Sequence, residues 1–256
     1  MRRLRPDRRR TSTSSDARTT SPSSRPASPS SSRPPSATAT TRVVHQAASW
    51  CLGYPDETLV ERLPLLAAAV DELPAGRARE GLRTFLDHAA ATPLDVLQTD
   101  YVHLFDLSRK QALYLSYWTD GDTRRRGEVL AAFKERYRAS GFLVDTHGEL
   151  PDHLPLVLEY AALADPDDGA ALLQEYRASL ELTRFALIES SPPYAGVLEA
   201  VCATLPGESP KDKAAVHAMA AAGPPSESVG LDSADPRLLP LAGYGTAGYG
   251  TFDGSA

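Results

Sequence analysis

Residues 147–160 read HGELPDHLPLVLEY and place His147, Glu149, Asp152, His153 and Glu159 within one short stretch. Imidazoles and carboxylates at this density could bind a metal or work as a general acid/base pair. The spacing argues against the metal. A zincin needs H-E-x-x-H on one helical face, whereas the order here is H-x-E-x-x-x-H, with Pro151 breaking any helix that would align His147 with His153. The zinc deaminase signature opens H-x-E, as this stretch does, but it requires P-C-x-x-C downstream, where only Cys202 occurs. Glu149, Asp152 and His153 could still meet for acid/base work, yet the sequence supplies no nucleophile elbow and no P-loop beside them. A metal-dependent hydrolase centred on His147, Glu149 and His153 is therefore the alternative reading. The leading expectation is a protein with no catalytic residues, no metal and no cofactor.

Locally, LPDHLPLVLEY reads as a loop-to-helix junction. Asp152 is a suitable N-cap with Pro151 just outside, and Pro155 falls in the first turn, where a missing N–H leaves no intrahelical bond unmade. Leu156, Val157, Tyr160 and Leu163 then make the buried face.

The elements around this junction also read as helices. RVVHQAASWCLGYP ends at Gly53 with Pro55 beyond, and Asp56 caps ETLVERLPLLAAAVDEL, whose Leu59, Leu63, Leu66 and Val70 recur at helical spacing. Pro64 is expected to kink or split that helix. RAREGLRTFLDHAAA follows, and Thr92, Pro93 and Asp95 come close to a capping box for the next start. From there Leu94, Leu97, Tyr101, Leu104 and Phe105 form a stripe, of which core packing is the plain reading. ALYLSYW is aromatic, and the chain breaks at Gly121 before restarting behind Asp122 or Thr123, with Val129, Leu130, Phe133 and Tyr137 inward and a stop at Gly141. Beyond the opening stretch come GAALLQEYRASLELTRFALIES, a short helix in YAGVLEAVCATL, and KDKAAVHAMAAAG. No segment alternates with period two, so no sheet is expected, and the fold class is all-α, a single helical bundle.

Composition divides the 256 residues into three parts. Residues 1–41 are Ser, Thr, Arg and Pro, with too little apolar surface to offset the entropy of ordering, and are expected to be a disordered basic arm. Residues 42–221 form the helical domain, and 222–256, with the near-repeat GYGTAGYGT, form a low-complexity tail expected to be disordered. Ten Arg against Asp7 and Asp16 up to Arg42 give that segment roughly +8, so the remainder of a chain of net charge −6 carries roughly −14. The arm could touch nucleic acid or anionic lipid non-specifically, but the acidic body argues against a nucleic-acid surface and suits a basic partner. Arg2-Arg3 has no apolar stretch behind it, and no apolar run reaches about 18 residues, so neither a targeting signal nor stable membrane insertion is expected. Cys51 and Cys202 are too few and too far apart for a disulfide framework, which fits a reducing, cytoplasmic compartment.

TDYVHLFD, LYLSYWTDGDTRRRGEVLAAFKERYRASG and ELPDHLPLVLEY, in that order, resemble the NarJ-type nitrate reductase molybdenum cofactor assembly chaperones, also called the nitrate reductase delta subunit, within the wider TorD/DmsD group. The likeness runs over about residues 42–205 and leaves both tails unmatched. It implies an all-helical, TorD-like, non-enzymatic protein. Such a protein binds the N-terminal segment of the apo catalytic (alpha) subunit of a respiratory nitrate reductase. It keeps that subunit competent for molybdenum cofactor insertion and delays its docking to the membrane anchor. The resemblance also admits the proteins that deliver the molybdenum cofactor as partners. Carried over by position, Glu149, Pro151, Asp152 and His153 fall on the family's E-x-P-D-H hinge, linked to recognising the client's leader. Tyr114, Tyr117, Trp118 and Arg124, with Asp122, Thr123 and Gly127, fall on the second motif; Tyr101 and Phe105, with Leu104, fall on the first. From the residues alone, an apolar groove rimmed by acids would suit a basic segment that folds as a helix on binding, with Tyr and Trp as anchors.

Overall fold

In the computed structural model, which describes residues 4–6, 38–108, 111–117, 124–146 and 148–222, helix follows helix from Ala39 to Ala222. The first four are α1 (Ala39–Cys51), α2 (Glu57–Asp71), α3 (Arg77–Ala91) and α4 (Leu94–Tyr101). They are followed by α5 (Arg124–Ala139), α6 (Leu154–Glu159), α7 (Pro166–Glu175), α8 (Arg177–Ser190), α9 (Pro192–Cys202) and α10 (Lys213–Ala222). Two widened π turns, Val102–Asp106 and Tyr160–Ala164, extend α4 and α6. The chain is an all-α bundle, and α1 begins at Ala39 rather than Arg42 because the Thr38 side chain accepts the Thr41 N–H.

Sequence caps hold at some starts and are reassigned at others. Asp56 accepts the Leu59 N–H at 2.9 Å as expected, and Asp165 accepts that of Asp168 at 3.0 Å. Thr92 does not cap α4; its hydroxyl donates back to the His88 carbonyl at 2.8 Å, so it closes α3 instead. Pro64 does not split α2, which remains one helix: Pro64 and Val60 are exposed, so water can satisfy the Val60 carbonyl that the proline ring leaves without a donor. The segment expected as one helix from Gly169 to Ser190 is two, broken at Tyr176.

The bundle closes most tightly where α9 lies along α3. A Cβ built on Gly81 would sit 2.1 Å from the Gly196 carbonyl oxygen, and one on Gly196 would sit 2.8 Å from that of Gly81, so the two backbones touch only because both residues are glycine. The approach lets Phe85 and Tyr194 pack with ring centroids 4.9 Å apart, and Phe105 and Tyr101 continue the aromatic cluster. On the other side α1 packs against α6 and its π turn, with Ala47, Ala48, Val157 and Leu158 fully buried. Each leucine-sized side chain buried this way contributes about 1.5–3 kcal/mol.

One small departure from helix is a two-stranded antiparallel ribbon, β1 (Leu4–Pro6) on β2 (Phe142–Val144), with Arg5 opposite Leu143. Three residues a side are too few to show period-two alternation, so the sequence gave no warning of it. Cys51 and Cys202 are buried and free, and burial pushes both thiols well above the usual range. Among the described residues no helix is long and apolar enough to cross a membrane.

Candidate functional site

Gly148, at φ 90°, turns the chain into the junction, and Pro151 and Asp152 follow before α6 begins at Leu154. The N-cap is His153, not Asp152, and no side chain caps the helix. The reason lies in the first-turn donors. Leu154 gives its N–H to the Leu113 carbonyl at 2.7 Å, Pro155 has none, and Leu156 gives its own to His153 at 3.0 Å. Nothing is left for a capping carboxylate. Asp152 instead accepts from the Ser116 N–H at 3.1 Å and the Ser116 hydroxyl at 2.6 Å, and Arg126 lies 3.9 Å from the same oxygen. With the Leu115 N–H on the Asp152 carbonyl at 3.0 Å, this fastens residues 113–116 antiparallel to residues 152–154.

The fastening presents side chains to one side. Tyr114 donates its hydroxyl to Glu149 Oε2 at 2.8 Å, and its ring lies 5.4 Å from the His153 imidazole. Burial first, and then that hydrogen bond, push the Tyr114 phenol well above its ordinary range, so it stays a donor across working pH. Tyr114, Glu149 and His153, with Tyr101, Phe105 and Asp106 from the end of α4 and its π turn, line a cleft of about 230 Å³. Tyr54 and Leu113 complete the lining. Tyr101 is anchored by a 3.1 Å bond from its hydroxyl to the Leu52 carbonyl and stacks edge-on with Tyr54 at 5.4 Å. The lining is aromatic with two acids, suited to gripping an apolar and cationic group.

The family-motif residues therefore separate by position. Tyr101, Phe105, Tyr114, Glu149 and His153 meet in the cleft; Pro151 and Asp152 are buried behind it. Tyr117 is half-buried, with the Arg126 guanidinium 5.8 Å from its ring and equally far from that of Tyr114. Arg124 opens α5, its side chain undescribed, and Trp118 and His147 lie outside the described residues. Sequence reasoning chose Arg124 from the run Arg124–Arg126, whereas Arg126 is the arginine at Asp152. Helical phase could have found it, since Arg126 precedes the inward Val129, Leu130 and Phe133 at i+3, i+4 and i+7. Ser116 and Tyr137, whose hydroxyl donates to the Pro151 carbonyl at 2.6 Å, were also missed, because long-range polar partners leave no local pattern.

Among the described residues no group of three or more His, Cys, Asp and Glu could hold a metal. Glu149 is engaged by Tyr114, and no relative supports the hydrolase alternative.

An all-α bundle with an aromatic, acid-edged cleft is built like a scaffold that binds peptide segments. The chain belongs to the nitrate reductase delta subunit family, whose model matches residues 71–199. It is 42% identical over 163 residues to the nitrate reductase-like protein NarX of Mycobacterium tuberculosis, 63% of this chain and 24% of that one. It is 33% identical over 168 residues to NarJ of Bacillus subtilis, 66% of this chain and 91% of that one. NarJ of Escherichia coli, named a nitrate reductase molybdenum cofactor assembly chaperone, is 33% identical over 148 residues, 56% of this chain and 61% of that protein. The chain thus spans about a quarter of NarX but most of the B. subtilis relative. A crystal structure described as a redox enzyme maturation protein from Archaeoglobus fulgidus overlays with a TM-score of 0.48 at 22% identity, over 63% of this chain and 91% of that one, too loosely to carry more than a mention.

Proposed function

We propose that this protein is a non-enzymatic, cytoplasmic chaperone for nitrate reductase assembly. It binds the N-terminal segment of the apo catalytic subunit and holds it competent for molybdenum cofactor insertion before the complex docks at the membrane. The observation that carries this is the convergence of the three motif blocks. Tyr101 and Phe105, Tyr114, and Glu149 and His153 come from three separate stretches and line one cleft. Asp106 and Glu149 give that cleft the sign a basic leader needs, and the net charge of roughly −14 beyond Arg42 extends the same field outward. The phenol and phenyl rings supply rigid apolar contact at low entropic cost. Family membership and the name of the E. coli relative support the client assignment.

Calorimetric titration of the whole chain with a synthetic peptide from the N-terminus of the nitrate reductase catalytic subunit tests this. Saturable binding that weakens as salt rises is expected. No detectable heat of binding at low salt sinks the reading.

A further inference from the structure

The motif cleft does not end at Tyr54. That side chain also lines a small hollow with Gln46, Trp50, Asp56 and Glu159. Gln46, Trp50 and Glu159 in turn border a groove of about 460 Å³ between α1 and α2. Its walls are Val43 and Ala47 of α1, Leu65, Leu66 and Ala69 of α2, and Leu163 of the second π turn. Leu65 is 67% exposed and Leu163 44%, so leucines on facing walls present apolar surface outward. Arg62 lies flat over Trp50, its guanidinium carbon 4.5 Å from the ring centroid. The acids lining the three connected hollows are Asp56, Asp106, Glu149 and Glu159, and Arg62 is the one arginine or lysine among the lining residues. Both α1 and α2 precede the core of the family match apart from the last residue of α2, so this wall lies outside the stretch that defines the family.

We propose that the α1–α2 groove is the second half of one peptide-binding trough, and that it takes the apolar face of an amphipathic helix whose Lys or Arg residues face Asp56 and Glu159. The inference rests on the function proposed above and adds to it where the client's apolar side chains go. Two arguments fix the occupant. The groove is continuous with the motif cleft through Tyr54 and Glu159, so a segment seated in one is led into the other. The excess of acid along the trough selects a basic helix over a neutral or acidic one. An amphipathic helix of about fifteen residues, roughly 22 Å long, would present side chains at i, i+4 and i+7 to such a groove.

The test uses the full chain and a synthetic peptide of about fifteen residues from the N-terminus of the nitrate reductase catalytic subunit, with helical length as the criterion. Leu65→Glu places a charge in the groove at an exposed position, and Leu163→Glu repeats the test from the opposite wall; circular dichroism and the thermal midpoint confirm that each folds. Both variants are expected to bind the peptide at least about tenfold more weakly. A second peptide, with its apolar residues replaced by Ser, is expected to bind wild type and Leu65→Glu alike. If both groove variants bind the native peptide as wild type does while Glu149→Gln weakens it, the trough inference falls and the proposed function stands. If wild type binds no peptide, both fall. If Leu65→Glu alters only self-association, or if deleting residues 1–37 raises affinity in wild type but not in Leu65→Glu, the occupant is a second copy or the chain's own arm, and the inference is overturned.

Discussion

Two carboxylates in this bundle are fully buried beside arginine, and they behave differently. Glu181 of α8 accepts from Arg184 at 2.7 Å and lies 3.7 Å from Arg177. Those arginines spend other donors on the carbonyls of Pro206, Gly207 and Pro210, so the node is a clamp holding the loop after α9 against the bundle. Asp152 has its arginine 3.9 Å away, and that arginine also lies against two tyrosine rings, one of which lines the cleft. The ingredients are alike. What differs is whether the surrounding polar groups end on the protein's own backbone or on a hollow. Buried charge alone does not mark a site; buried charge that orients side chains facing a void does.

The largest effect should come from the clamp. Glu181→Ala leaves two arginines without their carboxylate in a closed environment and is expected to cost about 3–5 kcal/mol of unfolding free energy by urea titration. Peptide affinity of the protein still folded at low temperature should stay within about twofold of wild type, since the clamp does not line the trough. A large affinity loss there would join the two regions and undo the contrast.

Acid sharpens the same side of the comparison. His45 ties α1 to the loop end through Thr204 at 2.9 Å, and burial pulls its pKa from 6.5 to about 4. Between those values the unfolded chain holds the proton and the folded chain does not, so stability falls as pH drops through the window from 6.5 to about 4. The full loss is on the order of 3 kcal/mol. Urea titrations at pH 7 and pH 4.5 should show a smaller difference in His45→Gln than in wild type; equal differences would place the acid sensitivity elsewhere.

Asp152→Asn keeps the shape and still accepts from Ser116, but removes the charge facing Arg126. A loss of about 1–3 kcal/mol is expected, with weaker peptide binding at temperatures where the variant is fully folded. Loss of stability with unchanged affinity would make Asp152 a second clamp.

The bundle was legible because helical spacing of apolar residues is a local signal: Leu59, Leu63, Leu66 and Val70 are all buried as the pattern demanded. Stops and caps were partly legible. Asp56 capped as read, but Thr92 and Asp152 found better partners, one in the preceding helix and one in Ser116, far along the chain. The candidate site divided in the same way. Residue types and the family likeness named Tyr101, Phe105, Tyr114, Glu149 and His153, which do share a cleft. The Tyr114–Glu149 bond, the Arg126 position and the α1–α2 groove depend on elements distant in sequence and left no periodic trace.

Tyr114→Phe gives the smallest effect and the finest distinction. The hydroxyl it removes is a single donor at a half-buried site, so stability should change by less than about 1 kcal/mol. Glu149 keeps its charge but loses the group that fixes its rotamer, so peptide affinity should fall only about threefold, with the slope of log affinity against log salt unchanged. Glu149→Gln removes the charge itself and should flatten that slope as well. The two variants together separate orientation from charge at the cleft. If Tyr114→Phe destabilised the fold as Glu181→Ala does while peptide bound unchanged, the Tyr114–Glu149 pair would be holding the junction together rather than facing a ligand. The cleft would then belong with the clamp.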